Sequence, residues 1–537
     1  MGDTVDRIAW LLRTNRLLGG DRSWSRAGRF AAAFRGGSWP TAASESRISR
    51  WETGVVRPPT AAIARYEELL ALRPGTLTST VDLLWRYSAG RGEAVRWAAA
   101  PRVPPPVGAD PTAGEERLED LLERAASTAS MSGPQWTELS RLVVARPGLM
   151  VFPRSYRSRV MERLVRETII SHDLSWRQRF EALNRLLGHP SCGPAAVAAL
   201  ASLGADRENQ IFIETISVLD ASRHPDAGRV VLAQLTDPTN DRALCGALLA
   251  CERKIRFVHF APEQLDVIAD VVRDLLTDPA HADDARVLAS LLSRRGYRFP
   301  GVGRGHLPPR PGAGLSGLSG PPVTGHGGRP LSPADAATAT RVARATVALL
   351  GDEPAPALFA VFVGLVAELL FDPLSDTRMY ATMLVAATPF GVPLARVLAD
   401  ELDPARTERL TRNVRLVTAL RVLGGAEQRP VVEGIVTAPR LPSELSAAAC
   451  FAIGHLGGVS DRRFWGAALR RHVDAWRRTR DAAAFTAVTG LVYSLGVSGQ
   501  QGYLRRLRDA PGLPDPARRA ATWWLDIPEH VRVSVTH

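Results

Sequence analysis

Between Ser44 and Pro59 the chain reads SESRISRWETGVVRPP, and its polar residues are spaced to do chemistry on one surface. At 100° per residue, Ser46, Ser49, Arg50 and Thr53 share one face of a helix, while Ile48 points the opposite way and Trp51 towards its side. Hydroxyls and a guanidinium along one edge form a hydrogen-bonding, cationic reading surface with an apolar anchor beneath it. Ser44 can cap this helix through its hydroxyl, and Gly54 suits the left-handed position that ends it near Thr53.

Covalent and metal chemistry find little support elsewhere. Lys254 is the only lysine, and its setting, CERKIRF, fits neither a phosphate-binding GxxxxGK[ST] loop nor a Schiff-base site. No HExxH occurs, and GVSGQ around Ser498 lacks the second glycine of a nucleophile elbow. The 11 histidines are scattered, and Cys192, Cys245, Cys251 and Cys450 lack the spacing of a metal knuckle, so they read as free, mostly buried thiols. Asp237 and Asp278 precede prolines and are expected to cap the helices that follow. Gly312 to Gly317 formally spell GxGxxG, but PPRP precedes them and LSGPP follows, where a dinucleotide loop needs a strand and a helix. No cofactor and no metal are expected, and the chain reads as a non-enzyme.

The elements that must position the polar edge come next. VDRIAWLLRTNR places Val5, Ile8, Leu11 and Leu12 on one side of a first helix, and SRAGRFAAAF puts Ala27, Phe30 and Phe34 on the inner side of a second. Pro58 and Pro59 stop the chain after the third helix, and Thr60 can cap a fourth with Ile63, Tyr66 and Leu70 inward. Four helices then surround one small core.

This arrangement resembles the XRE, or Cro/phage-repressor-type, helix-turn-helix domain, whose recognition helix reads S-x-x-x-I-S-R-W-E-x-G before a Pro-ended loop. Ser44, Ile48, Ser49, Arg50, Trp51, Glu52, Gly54 and Pro58 match that pattern, and LALRPGTL after the fourth helix also fits. The resemblance covers about 75 residues, a seventh of the chain. It implies that Glu45, Ser46 and Arg50 face base edges in the major groove of double-stranded DNA. An arginine there can bind guanine O6 and N7, and a glutamate can accept from cytosine N4. It further implies that Ser44, Arg47 and Arg57, with backbone amides at the helix starts near Ser23 and Thr60, hold phosphates, with Ser49 and Thr53 in support. The turn before the third helix departs from the family. RGGSWPTAA, Arg35 to Ala43, is longer by roughly five residues, so it either displaces the helix or itself presents Trp39 or Arg35 to DNA.

The charge distribution agrees with an N-terminal anionic partner. Of the net +12, residues 1–65 hold 11 arginines against five acids. The 537 residues exceed what one core usually spans, apolar residues recur at helical spacing throughout, and no period-two strand is evident. The expected fold is therefore all-α: a four- to five-helix domain at 1–77, then an α-solenoid of helix pairs in two halves. Residues 78–100 follow as a connecting or dimerising helix, with Val81, Leu84 and Trp85 on one face. Residues 101–114, PRVPPPVGADPTAG, form a Pro-rich linker, because proline lacks the donor a helix needs.

Helical-repeat halves are expected at 115–299 and 334–527, joined by a Gly/Pro-rich flexible linker at 300–333 and followed by a tail at 528–537. LTDP recurs at Leu235 and Leu276, FDP and LDP return at Phe371 and Leu402, and LPSELSAAACFAIGHLGG reads as a tightly packed small-residue helix. These echoes resemble HEAT-type α-solenoids. Ala357 to Phe371 reads as a buried helix closed by Asp372-Pro373 rather than a membrane span. The acidic start, MGDTVDRIAW, is unlike a secretory signal, which places the chain in the cytoplasm with no membrane partner.

The expected function is a sequence-specific DNA-binding transcription regulator acting as a homodimer, its helical repeats sensing a peptide, protein or small-molecule effector. The alternatives are an interaction scaffold whose N-terminal domain docks a protein, and a HEAT-like DNA-acting enzyme.

Overall fold

The structure, a computed structural model, describes residues 2–88, 111–150, 153–300 and 331–536. Among them are 27 α-helices, three short 3-10 turns and no strand beyond one isolated bridge, Gly36 to Trp39. The protein is all-α, and within each unit helices close in sequence pack on one another. Ser132 opens its helix with a capping box closed by Gln135. Asn240, Ser332, Asp461 and Asp481 each accept an amide of the first turn. Asp237 does not cap as expected: it ends the 225–236 helix, and Asn240 caps the next one. Asp278 accepts from the Ala280 amide and His281, ahead of a helix that starts at Ala282.

The chain folds into two compact units whose boundaries differ from the expected linear order. One unit combines Met1–Leu72 with Pro311–Ile527, the other Arg73–Arg310 with Pro528–His537. In the first unit, α1 (Gly2–Leu18), α2 (Ala27–Ala33), α3 (Glu45–Glu52) and α4 (Thr60–Leu69) enclose Ile8, Leu11, Leu12, Phe30, Phe34, Ile48 and Tyr66, all fully buried. The opposite side of α1 is buried as well. Trp10 donates from Nε1 to the Leu358 carbonyl at 3.1 Å and lies parallel to Phe390, Asn15 donates to the Ala387 carbonyl at 2.9 Å, and Arg7 pairs with Glu368 at 2.6 Å. The apolar stripe read from Val5, Ile8, Leu11 and Leu12 therefore understates α1, which is covered on two sides. That second interface ties the small domain to the C-terminal half.

Within that half, the small-residue helix does pack tightly. A β-carbon at Gly454 would stand 2.8 Å from the Ser494 backbone, and one at Gly490 3.0 Å from Cys450 Cβ. The 356–371 helix is buried and closed by Asp372, and no helix among the described residues is long and apolar enough to cross a membrane.

In the second unit, α5 (Thr76–Ser88) buries Val81, Leu84 and Trp85 within its own unit, where Arg177 donates to Thr80 at 2.9 Å and Arg185 pairs with Asp82. The face expected to dimerise is thus covered by the same chain. Residues 528–537 are not a tail. Their helix, Glu529–Thr536, places the Ser534 carbonyl on Arg179 at 2.6 Å and its hydroxyl on Arg163 at 3.0 Å, where both arginines meet the fully buried Glu167. Residues 111–114, expected in a linker, begin the Pro111–Ala126 helix, since proline is tolerated in a first turn. Residues 89–110 and 301–330, which hold most of both expected linkers and the GxGxxG match, lie outside the described residues.

Candidate nucleic-acid interface

The α3 helix is held by what lies under it. The Ser44 hydroxyl accepts from the Arg47 amide at 3.2 Å, as a capping serine should. Ile48 is fully buried, and Trp51 packs against Phe34 with ring centroids 5.6 Å apart. Beneath the last turn, the two carboxylate oxygens of Glu52 accept from Arg16 Nε and Nη2, both at 2.6 Å, and Tyr66 donates to the same carboxylate at 2.9 Å. Arg16 also donates to the carbonyls of Trp24 and Ser25. Buried and next to that carboxylate, the Tyr66 hydroxyl is held protonated well above the usual tyrosine range. Gly54 at φ +73° turns the chain out of the helix.

The outer face is open. Ser44, Glu45, Ser46, Arg47, Ser49, Arg50, Thr53 and Arg57 are all exposed. Ser46 and Arg50 stand on one face, and the Thr53 hydroxyl turns back to donate to the Ser49 carbonyl at 2.8 Å. Glu45 is placed differently from Ser46: its Oε1 lies 2.2 Å from where a β-carbon on Gly28 would stand, so its carboxylate rests on the first turn of α2. An acid there also complements the positive end of a helix.

Two expectations at helix starts are corrected, the phosphate-donating amide at Ser23 and the capping role of Thr60. The Ser23 amide donates to the Asp21 carboxylate at 2.8 Å, which occupies the donor and adds a negative charge. Thr60 is the first residue of α4 and not its cap; Pro59 holds that position with no side-chain hydrogen bond.

The 35–43 insert is folded onto the domain. Gly36 and Trp39 exchange backbone hydrogen bonds of 2.7 and 2.9 Å, and the Trp39 ring packs edge-on against Phe34 and Trp51. Gly37 sits at φ +49°, in the left-handed region that favours glycine, with the Glu68 carboxylate close against it. Glu68 in turn accepts from the Ser38 amide at 3.1 Å, and Arg65 donates to the carbonyls of Ala33 and Phe34. The Trp39 ring is therefore turned inward, while Arg35 stays exposed towards solvent together with Ser38, Pro40 and Thr41. Sequence reasoning also missed Val55, a 67% exposed valine in the loop after α3. Its position just beyond the helix-ending glycine was the available signal.

Ionisable groups elsewhere are perturbed by burial. Lys254 is 1% exposed, donates to the Ser222 carbonyl at 2.7 Å and is pushed down to about 8. The thiols of Cys251 and Cys450 are pushed up to about 12 and those of Cys192 and Cys245 to about 11, so all four are protonated near neutrality. No group of three or more His, Cys, Asp or Glu poised around a metal position occurs among the described residues.

No protein-family model matches the chain, and no curated protein matches it. Among solved structures, human deoxyhypusine hydroxylase in complex with glycerol matches over 64% of this chain and 98% of its own, at 15% identity and a TM-score of 0.31. Against the expectation of a non-enzyme, the matched protein is by name a hydroxylase. At that TM-score the likeness assigns no activity to the present chain.

Proposed function

We propose that this chain is a sequence-specific, double-stranded-DNA-binding transcription regulator. In this reading α3 enters the major groove, Ser46 and Arg50 meet base edges with Glu45 beside them, and Ser44, Arg47 and Arg57 approach phosphates. The helical repeats take a ligand, peptide or protein effector. One observation carries the reading: the helix bearing these side chains is fixed from below by Ile48, Trp51 and the Arg16–Glu52 pair, while Ser46, Ser49, Arg50 and Thr53 all face solvent. A helix locked on one side and polar on the other is preorganised for groove recognition, because binding then orders little further.

The test is selection of bound duplexes from a random-sequence library by the full chain, followed by mapping of bound sites across a genome. An enriched motif is expected, with two half-sites about 10 base pairs apart if two copies bind together. A selected pool with no sequence preference overturns the reading.

A further inference from the structure

The basic charge has a second concentration that the N-terminal count hides. Residues 461–519 hold 12 arginines against five acids, a balance of +7, and they belong to the same compact unit as α3. With the +6 of residues 1–65, these two segments account for the whole excess of the chain.

All five acids in the second segment are committed. Asp474, Asp509 and Asp515 pair with Arg477, Arg508 and Arg518, while Asp461 and Asp481 cap helices. Arg463, Arg470, Arg478, Arg505 and Arg506 are exposed and carry no ion pair among the described residues. Along the 462–479 helix, Arg463, Arg470 and Arg477 recur every seven residues. That spacing puts them on one stripe, about 10 Å apart, opposite the buried Trp465, Ala468 and His472. The 501–508 helix extends the surface alongside, since Tyr503 donates to the Arg462 carbonyl at 2.8 Å and Arg477 to the Pro511 carbonyl at 3.1 Å. Between 462 and 519 no large apolar side chain is exposed, so the surface lacks the apolar centre of a protein interface. Long guanidinium groups without an ion pair, such as those of Arg463, Arg470 and Arg505, on a face with no large apolar side chain fully exposed between 462 and 519, suit a polyanion of regularly spaced charge.

We infer that the arginines of the 462–479 and 501–508 helices form a second contact surface for double-stranded DNA, gripping phosphates irrespective of base sequence. The inference rests on the proposed function in that duplex DNA is taken as the partner. Phosphate neutralisation releases counterions, so the contact adds affinity and salt dependence without adding base discrimination.

The test uses the full chain, a labelled random-sequence duplex of about 30 base pairs and anisotropy titrations between roughly 50 and 200 mM salt. The variant is R463Q/R470Q/R505Q/R506Q, whose four positions are exposed, so its thermal unfolding should match the parent. Its log-affinity against log-salt slope is expected to fall by about 3 to 4, with affinity near 150 mM salt down roughly tenfold or more. The ratio of preferred to random duplex should stay within about twofold. Unchanged slope and affinity overturn the inference, as does polyglutamate displacing the duplex at equal charge, which would assign the surface to an acidic protein. If the parent shows no preference among duplexes yet the variant loses random-duplex binding, the α3 reading fails and this surface stands. If the parent shows a preference and the variant loses no affinity, α3 stands and this surface fails.

Discussion

Arg16, on α1, and Glu52, the last residue of α3, form a two-pronged ion pair beneath the polar helix, with both N–O distances at 2.6 Å and both side chains almost fully buried. Tyr66 and two main-chain carbonyls complete its hydrogen bonding. The pair therefore fixes where α3 ends relative to α1, and through it the direction in which Arg50 points.

Breaking one side of this pair leaves a buried charge without its partner. Glu52→Ala is expected to destabilise the N-terminal helices by about 3–5 kcal/mol, read as a lower denaturant midpoint. A double change to Arg16→Met with Glu52→Leu should cost less than Glu52→Ala alone, because no orphaned charge remains. Equal losses in both would mean that volume rather than charge controls the site.

Two arginines on the same surface should behave differently. Arg50→Ala is expected to lower discrimination at one base position by about 1–3 kcal/mol, whereas Arg57→Ala should weaken every duplex alike and flatten the salt slope by about 1. Competition titrations with single-base operator variants separate the two. A preference untouched by Arg50→Ala removes that residue from base reading.

Trp10 joins α1 to the C-terminal half through its ring on Phe390 and its Nε1 on the Leu358 carbonyl. Trp10→Ala should cost about 3–5 kcal/mol and raise hydrogen exchange in residues 2–18 and 356–371 together. Exchange rising in 2–18 alone would show that α1 is anchored only within its own small domain.

Lys254 links stability to pH in the other unit. Its folded value of about 8 lies below the ordinary 10.5, chiefly because burial penalises the charged form. Between those values the unfolded chain binds more protons than the folded one, so stability should rise as pH goes from about 8 to 10.5 and be flat on this account below 8. Lys254→Met should remove that rise in urea midpoints measured across the window. An identical pH profile in the variant would mean that the folded chain holds the charged lysine at no cost.

The composition and periodicity of the chain were enough to determine that it is all-α, which residues form the polar edge of α3, and that Ser44, Ile48 and Gly54 shape that helix. These are local properties: a capping hydroxyl, a 3.6-residue repeat and a left-handed glycine act within one or two turns. Only the tertiary structure decided that Ser23 gives its amide to Asp21, that Trp39 folds inward, and that Glu45 rests on Gly28. It alone placed α1 on the C-terminal half and the 529–536 helix beside Glu167, contacts that join residues hundreds of positions apart. Such pairings are set by the shape and unsatisfied polar groups of surfaces that exist only once the chain has folded, so no local pattern carries them.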